Sequence, residues 1–259
     1  MRSVTSRDNA AYKELARLSE SGQERRRAGM SVLDGAHLVG AFLDSGRRAE
    51  AIAVNAAGLA DAEVAALLQR ASPARVTLLS DALFKSVSTV ESPTGVIALV
   101  KTPAGKPAPR DASLVLLLED IQDPGNVGTL LRSAAAAGVG HVLLSDRCAF
   151  AWSPKVLRAA MGAHFALEIV EGADLAAFVA GYRGKSIALS GDAKKSLYDL
   201  DLRGPCALLV GNEGAGLSPA LESAATERAK IPMPGRMESL NAGTAGSIAL
   251  FECVRQRSR

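Results

Sequence analysis

Two kinds of apolar pattern divide the chain. Over the first hundred residues, short apolar stretches alternate with amphipathic ones. Residues 9–20 place Ala11, Leu15 and Leu18 at helical spacing. Residues 30–33 read as a short strand, 37–44 as a helix and 51–54 as a strand. Residues 61–70 read as a helix opened by an acidic cap, 76–79 as a strand, 81–85 as a short helix and 95–100 as a final strand. Beyond residue 110 the strands become continuous apolar runs, at 114–118, 141–144, 165–170, 187–189, 207–210 and 229–231. Such runs suit a parallel sheet covered on both faces. Helical patterns lie between them at 127–137, 154–161, 174–182 and 219–225, and a last helix is expected from about 239 to 257. This alternation predicts an open α/β sheet, whose ligands bind beyond the carboxyl ends of the strands.

Between the two patterns, residues 101–110 hold three prolines, one glycine and no large apolar residue, the composition of a linker. The expected organisation is therefore an N-terminal part at 1–100, a linker at 101–111 and a C-terminal part at 112–259. Charge is uneven across that boundary. Residues 1–110 carry 15 Lys/Arg against 11 Asp/Glu, and the remainder 15 against 16. The densest basic run is Arg25, Arg26 and Arg27. It could meet phosphates, although three arginines alone are better read as a solvated helix end. Aromatic residues make up only 4% of the chain, which argues against recognition by base stacking. Cys148, Cys206 and Cys253 are scattered, without the spacing of a zinc site or a disulfide framework, and no metal is expected. No apolar run has the length of a membrane span and the N-terminus lacks a signal-peptide core, so a cytoplasmic protein is expected.

Chemistry-bearing residues concentrate in three loops, each following an apolar run. The first runs from Asp123, Pro124 and Gly125 into Asn126, Gly128 and Arg132. Asp-Pro-Gly is a turn signal, Asn126 can cap the following helix, and Arg132 suits a planar grip on phosphate. The second holds Gly211, Asn212, Glu213, Gly214 and Gly216. Its glycines let backbone approach a ligand closely, but their spacing is not that of a dinucleotide fingerprint. The third runs from Ile231 through Pro232, Met233, Pro234 and Gly235 to Glu238, Ser239, Leu240 and Asn241. The prolines forbid regular structure, and the polar residues suit a helix N-terminus. Neither a Ser/His/Asp set nor a Walker loop is visible, which narrows the options towards group transfer with a bound organic cofactor.

Together the three loops resemble the motifs of the SpoU/TrmH branch of the SPOUT RNA 2′-O-ribose methyltransferases. Asn126, Gly128 and Arg132 match the first motif. Gly211, Glu213 and Gly216 match the second. Pro232, Met233, Gly235, Glu238, Ser239, Leu240 and Asn241 match the third. After Asn241 the chain departs from the family's usual Val-Ser-Val-Ala, reading Ala242, Gly243, Thr244 and Ala245. The resemblance covers the C-terminal part. The N-terminal part is more loosely similar to the family's ribosomal-protein-like RNA-binding module, at residues 33–38 and 92–96.

The resemblance implies an α/β fold with a C-terminal trefoil-knot methyltransferase domain, in place of the plain doubly wound sheet of the pattern reading. It implies S-adenosylmethionine as cofactor, held by Leu209, Gly211, Asn212, Ile231, Met233 and Leu240. It implies catalytic roles for Arg132, Asn126, Glu213, Ser239 and Asn241, a homodimer, and an RNA substrate, with ribosomal RNA favoured over transfer RNA. Two readings of other classes compete. A non-catalytic RNA-binding protein would dispense with Arg132 or Asn241, and both are present. A Rossmann oxidoreductase would carry its glycine loop after the domain's first strand, which here ends in Leu118, Glu119 and Asp120.

Overall fold

The computed structural model describes residues 1–71 and 74–258; Arg259, the last residue of the expected C-terminal part, lies outside the described residues. The first stretch contains β1 (Arg2–Val4), α1 (Ala10–Glu20), α2 (Gly22–Ala28), β2 (Met30–Asp34), α3 (Ala36–Asp44), β3 (Ala51–Val54), α4 (Ala56–Ala60), α5 (Ala62–Arg70), β4 (Arg75–Leu79), α6 (Asp81–Val87) and β5 (Val96–Lys101). The second contains β6 (Leu114–Leu118), α7 (Pro124–Ala136), β7 (His141–Leu144), α8 (Pro154–Ala160), β8 (Glu168–Val170), α9 (Leu175–Gly181), β9 (Lys185–Leu189), β10 (Lys195–Ser196), β11 (Cys206–Val210), α10 (Pro219–Ala224), β12 (Glu227–Lys230) and α11 (Ala242–Arg257). Two compact units result. Met1–Pro103 groups with Trp152–Phe165, and Ala104–Ala151 groups with residues 166–258.

The first unit has a mixed five-stranded sheet in the order β1-β4-β3-β5-β2, in which β5 runs antiparallel to β2 and β3. Leu15 and Leu18 of α1 and Leu83, Phe84 and Val87 of α6 share one core with Val32, Ala53, Ile97 and Leu99 of the sheet. Gly95, which opens β5, has φ +82°, and a Cβ there would lie 2.5 Å from Gly58 Cα. Only glycine meets both demands. The Arg25–Arg27 run falls in α2 and divides. Arg25 is buried and donates through Nη1 to the Leu18 and Ser19 carbonyls at 2.6 and 3.0 Å, closing the end of α1, whereas Arg27 pairs on the surface with Glu24. The segment carrying α8 packs on this unit. His37 Nε2 meets the Met161 carbonyl at 3.2 Å, and Phe42 meets Phe165 edge-on at 5.4 Å between ring centroids.

The second unit has a seven-stranded, wholly parallel sheet in the order β10-β12-β9-β11-β6-β7-β8. β6 and β11 are apolar at every position because both faces are covered, as the continuous runs predict. Val115, Leu117, Ala207 and Leu209 face α9 and α10 through Leu175, Phe178, Val179 and Leu221. The alternate residues of β6 and β11, Leu116, Leu118, Leu208 and Val210, are equally buried. α7 and α11 pack against one another. A Cβ at Gly246 of α11 would lie 2.3 Å from Leu130 Cδ2 of α7 and 3.2 Å from Val210 Cγ2. α7, α8 and α10 each open with a capping Asp or Ser followed by proline, the arrangement that best satisfies a free helix N-terminus.

Several expected boundaries move; α7 starts at Pro124 rather than 127, and β12 ends at Lys230 rather than 231. The run at 165–170 divides into a 3-10 turn at Ala163–Ala166 and the short strand β8. The last helix starts at Ala242 rather than near 239, because Asn241 takes the extended backbone of an N-cap and Pro232 and Pro234 keep the preceding segment irregular.

Candidate active site

Loops leaving the carboxyl ends of β6, β9, β11 and β12 come together in the second unit. The β9, β11 and β12 loops and the start of α11 enclose a cavity of about 480 Å³. Its walls are backbone-rich and apolar, through Leu189, Val210, Gly211, Leu217, Ile231, Met233 and Leu240. Its charged side chains are mostly acidic: Asp192, Glu213, Glu222 and Glu238 face a single Lys230. Two of these acids, Asp192 and Glu222, are paired with Arg228, which reduces the net negative charge of the wall.

The β11 loop turns back on itself. Asn212 and Gly216 exchange backbone hydrogen bonds, each 2.9 Å, and Asn212 Oδ1 accepts from the Gly214 and Ala215 amides at 3.0 Å. A Cβ at Gly211 would lie 2.2 Å from the Gly216 carbonyl carbon. The smallness of Gly211 is therefore used first within the loop, to let the turn close.

Glu213 links the three motif loops. Its Oε1 accepts from the Asp123 amide at 3.2 Å and from Asn126 Nδ2 at 2.9 Å, and its Oε2 accepts from the Gln122 amide at 3.3 Å. An ionised carboxylate only accepts, so Asn126 must turn its NH2 towards Glu213 and its carbonyl away. That Oδ1 accepts from Asn241 Nδ2 at 2.8 Å, and Asn241 Oδ1 then caps α11 on the Thr244 amide at 3.1 Å. One directed chain of hydrogen bonds thus runs from Glu213 through Asn126 and Asn241 into α11. Burial opposes charge on Glu213, but the bonds from Asn126 and the backbone amides outweigh it and hold the carboxyl below its ordinary range. The cap of α7 is Asp123, which accepts from the Asn126 amide at 2.8 Å; Asn126 itself is buried and is the centre of the relay.

The other expected residues are distributed unevenly. Gly211, Asn212, Ile231, Met233 and Leu240 line the cavity, as do Glu213 and Ser239. Leu209 does not; its side chain lies wholly in the core among Val115, Leu117 and Ala207. Asn126 and Asn241 stand behind the wall, joined to Glu213. Arg132 is exposed on α7, outside the lining of the cavity. It shares an exposed stripe of α7 with Thr129 and Ala136, and Thr244 and Phe251 of α11 are also exposed.

Gly243 stands where the resembled family usually has serine, close against the relay. A Cβ there would lie 3.1 Å from Asn241 Oδ1 and 3.3 Å from Asn126 Oδ1, a tight contact with both.

Sequence reasoning missed the third wall. Ser190, Gly191 and Asp192 after β9, and Glu222 of α10, line the cavity. Arg228 of β12 ties them together, with Nη2 at 2.7 Å from Asp192 Oδ1, 3.3 Å from Ser190 Oγ and 3.0 Å from Glu222 Oε2. The only signal in the sequence was a Ser-Gly-Asp turn after an apolar run, at the same sheet edge as the three motifs. Among the described residues no group of three or more His, Cys, Asp or Glu could hold a metal ion, and no helix is long and apolar enough to cross a membrane.

Comparison with known proteins places these features. Residues 113–251 match the SpoU rRNA methylase family, and residues 9–98 match an MRM3-like substrate-binding domain. The chain is 31% identical to the Bacillus subtilis 23S rRNA (guanosine(2553)-2′-O)-methyltransferase RlmP, over 97% of this chain and 98% of that protein. It is 29% identical to a 23S rRNA (uridine(2479)-2′-O)-methyltransferase of Streptomyces viridochromogenes, over 99% of this chain and 93% of that one. Among solved structures it is similar to an AdoMet-bound rRNA methyltransferase from Sinorhizobium meliloti, with a TM-score of 0.85 and 26% identity over 98% of this chain and 97% of the other.

Proposed function

Since the chain belongs to the SpoU rRNA methylase family, an S-adenosylmethionine-dependent group of RNA 2′-O-ribose methyltransferases, we propose that it methylates a ribose of 23S ribosomal RNA in the cytoplasm, as a homodimer whose second unit is a trefoil knot. The observation that carries the reading is the relay from Glu213 through Asn126 to Asn241, which joins all three family motifs beside one acidic, backbone-lined cavity. The rRNA enzymes named above match this chain over nearly its whole length, which favours ribosomal over transfer RNA. One of them acts on guanosine and the other on uridine, so the target base is left open.

The cavity fits the cofactor. Apolar walls at Leu189, Ile231, Met233 and Leu240 suit the adenine, the backbone of 211–216 supplies amides and carbonyls, and the acidic side chains suit the ammonium and sulfonium charges. When bound there, S-adenosylmethionine supplies an electrophilic methyl group. The protein's own residues supply the rest. Gly211, Asn212 and the Ile231–Leu240 segment hold and orient the donor. Glu213, Asn126 and Asn241 keep the loops in register. Ser239, on the cavity wall, is placed to contact RNA phosphate or the donor. Arg132 grips the phosphate next to the target ribose and stabilises the charge that develops on the 2′-oxygen as it loses its proton. Arginine stays protonated in proteins, so the electrostatic role suits it better than that of a base.

Arg132 does not line the cavity of its own chain, and this supports the dimer. Arg132 of α7 and Phe251 of α11 are both exposed. Pairing of two copies through these helices buries Phe251 and brings Arg132 to the partner's cavity. The test is to map 2′-O-methyl positions in ribosomal and transfer RNA from cells with and without the protein, and to repeat the reaction in vitro with labelled cofactor. Loss of one methylated ribose in 23S rRNA is expected. An unchanged rRNA map with a lost tRNA mark would overturn the substrate assignment.

A further inference from the structure

Cys206 and Cys253 are far apart in sequence and play no part in the chemistry above, yet the fold brings them together. Cys206 is the first residue of β11 and Cys253 lies one turn from the end of α11. Their sulfur atoms are 3.7 Å apart, and both residues are almost wholly buried. A cation is fixed beside one of them only. Arg257 Nη2 donates to Cys206 Sγ at 3.1 Å, while the same guanidinium group is held by the carbonyls of Ser113, Gly204 and Leu202 at 3.0, 2.7 and 3.0 Å.

We propose that Cys206 and Cys253 are an oxidisable dithiol, which a hydroperoxide converts into an intrachain disulfide that fastens α11 to β11.

The asymmetry of the pair assigns the roles. The hydrogen bond from Cys253 and the Arg257 guanidinium outweigh burial and favour the thiolate at Cys206; donating that bond, together with burial, keeps Cys253 protonated. Cys206 is therefore the attacking sulfur. Its thiolate displaces hydroxide from hydrogen peroxide, giving a sulfenic acid. The Cys253 sulfur then attacks that sulfur, its proton leaves with the hydroxyl as water, and the S–S bond forms. Overall two thiols and one peroxide give one disulfide and two waters. The sulfurs close from 3.7 Å to about 2.0 Å. Both sulfurs are buried, so the peroxide reaches them through local opening of the structure around α11. Cys148 is the internal control. Burial pushes its thiol pKa up, and its sulfur contacts Ser145 and the Leu118 carbonyl rather than another cysteine. The pair stands at the ends of β11 and α11 remote from Gly211 and Ala242, so turnover should survive oxidation.

The test is hydrogen peroxide treatment of the full-length native protein, followed by thiol titration and peptide mapping by mass spectrometry. Accessible and denatured thiols together should fall from the three cysteines present to one. A Cys206–Cys253 cross-linked peptide should appear, and the melting temperature should rise, both reversed by dithiothreitol. In Cys253→Ser the cross-link is lost and dimedone traps a sulfenic acid at Cys206. In Arg257→Lys the cross-link forms about threefold more slowly per unit rise in the Cys206 thiol pKa, because a more basic thiolate is rarer but more nucleophilic. Three free thiols after native peroxide treatment, or cross-links through Cys148 or between chains, would overturn the proposal. The wild-type peptide map decides it even if a variant fails to fold.

Discussion

Replacing Asn126 by aspartate tests the direction of the relay. In the wild type, Asn126 donates from Nδ2 to the Glu213 carboxylate at 2.9 Å and accepts from Asn241 at Oδ1. Asn126→Asp keeps the shape and the acceptor but replaces the donor with a second carboxylate oxygen. Two unit charges at 3–4 Å repel by about 4–5 kcal/mol at an effective dielectric of 20. Glu213 is partly solvated, so about 2–4 kcal/mol is expected at pH 8, lowering the melting temperature by about 2–4 °C per kcal/mol. The pH dependence has a definite sign. The new carboxyl has a folded pKa raised by Glu213, so its penalty is full above that pKa and disappears as pH falls towards its unfolded value near 3.9. Asn126→Ala, without a second charge, has no such recovery. The assay is thermal unfolding of the three proteins from pH 8 to pH 5. The Asp variant should lie well below the Ala variant at pH 8 and approach it at pH 5. An Asp variant as stable as wild type at pH 8, or parallel curves for the two variants, would show that Asn126 does not donate to an ionised Glu213.

Three further outcomes follow from the site. Arg132→Ala should abolish methyl transfer while leaving S-adenosylmethionine binding by calorimetry nearly unchanged, and retained turnover would remove Arg132 from the chemistry. Arg228→Ala should loosen the wall formed by Asp192, Ser190 and Glu222, raising KM for the cofactor several-fold with little change in kcat; an unchanged KM would reduce Arg228 to a surface ion pair. Gly246→Val forces side-chain atoms into Leu130 and Val210, so a loss of about 1–3 kcal/mol is expected by chemical denaturation, and wild-type stability would refute the close contact of α7 and α11.

Much of this molecule is determined by local sequence. Continuous runs such as Leu114–Leu118 and Cys206–Val210 are apolar at every position because the central strands have no solvent face, so they specify a covered parallel sheet without any knowledge of their order. Ser153-Pro154 and Ser218-Pro219 mark helix starts because a cap and a missing N–H satisfy the same free terminus, whereas Asp123-Pro124 reads as a turn and opens α7 three residues ahead of the expected start. The first two motif loops could be assigned to one sheet edge because each follows such a strand, whereas β12, before the third, is mostly charged. The short edges were not legible. β1 and β10 have three and two residues, too few for any periodicity, and exist because a neighbouring strand offers them hydrogen bonds.

What the sequence determined, then, is most of the helices and the central strands, the edge at which the chemistry gathers and the family. Tertiary structure alone decided how individual side chains serve it. Asn126 reads as a helix cap in isolation, but Asp123 takes the cap and the fold turns Asn126 inward between Glu213 and Asn241. Arg228, Asp192 and Glu222 become one wall, and Cys206 and Cys253 become neighbours, only because strands distant in sequence are adjacent in the sheet and α11 returns across it. A hydrogen bond or thiol contact depends on ångström-scale positions of groups far apart along the chain. Local patterns encode backbone state and burial, and contain no such distances.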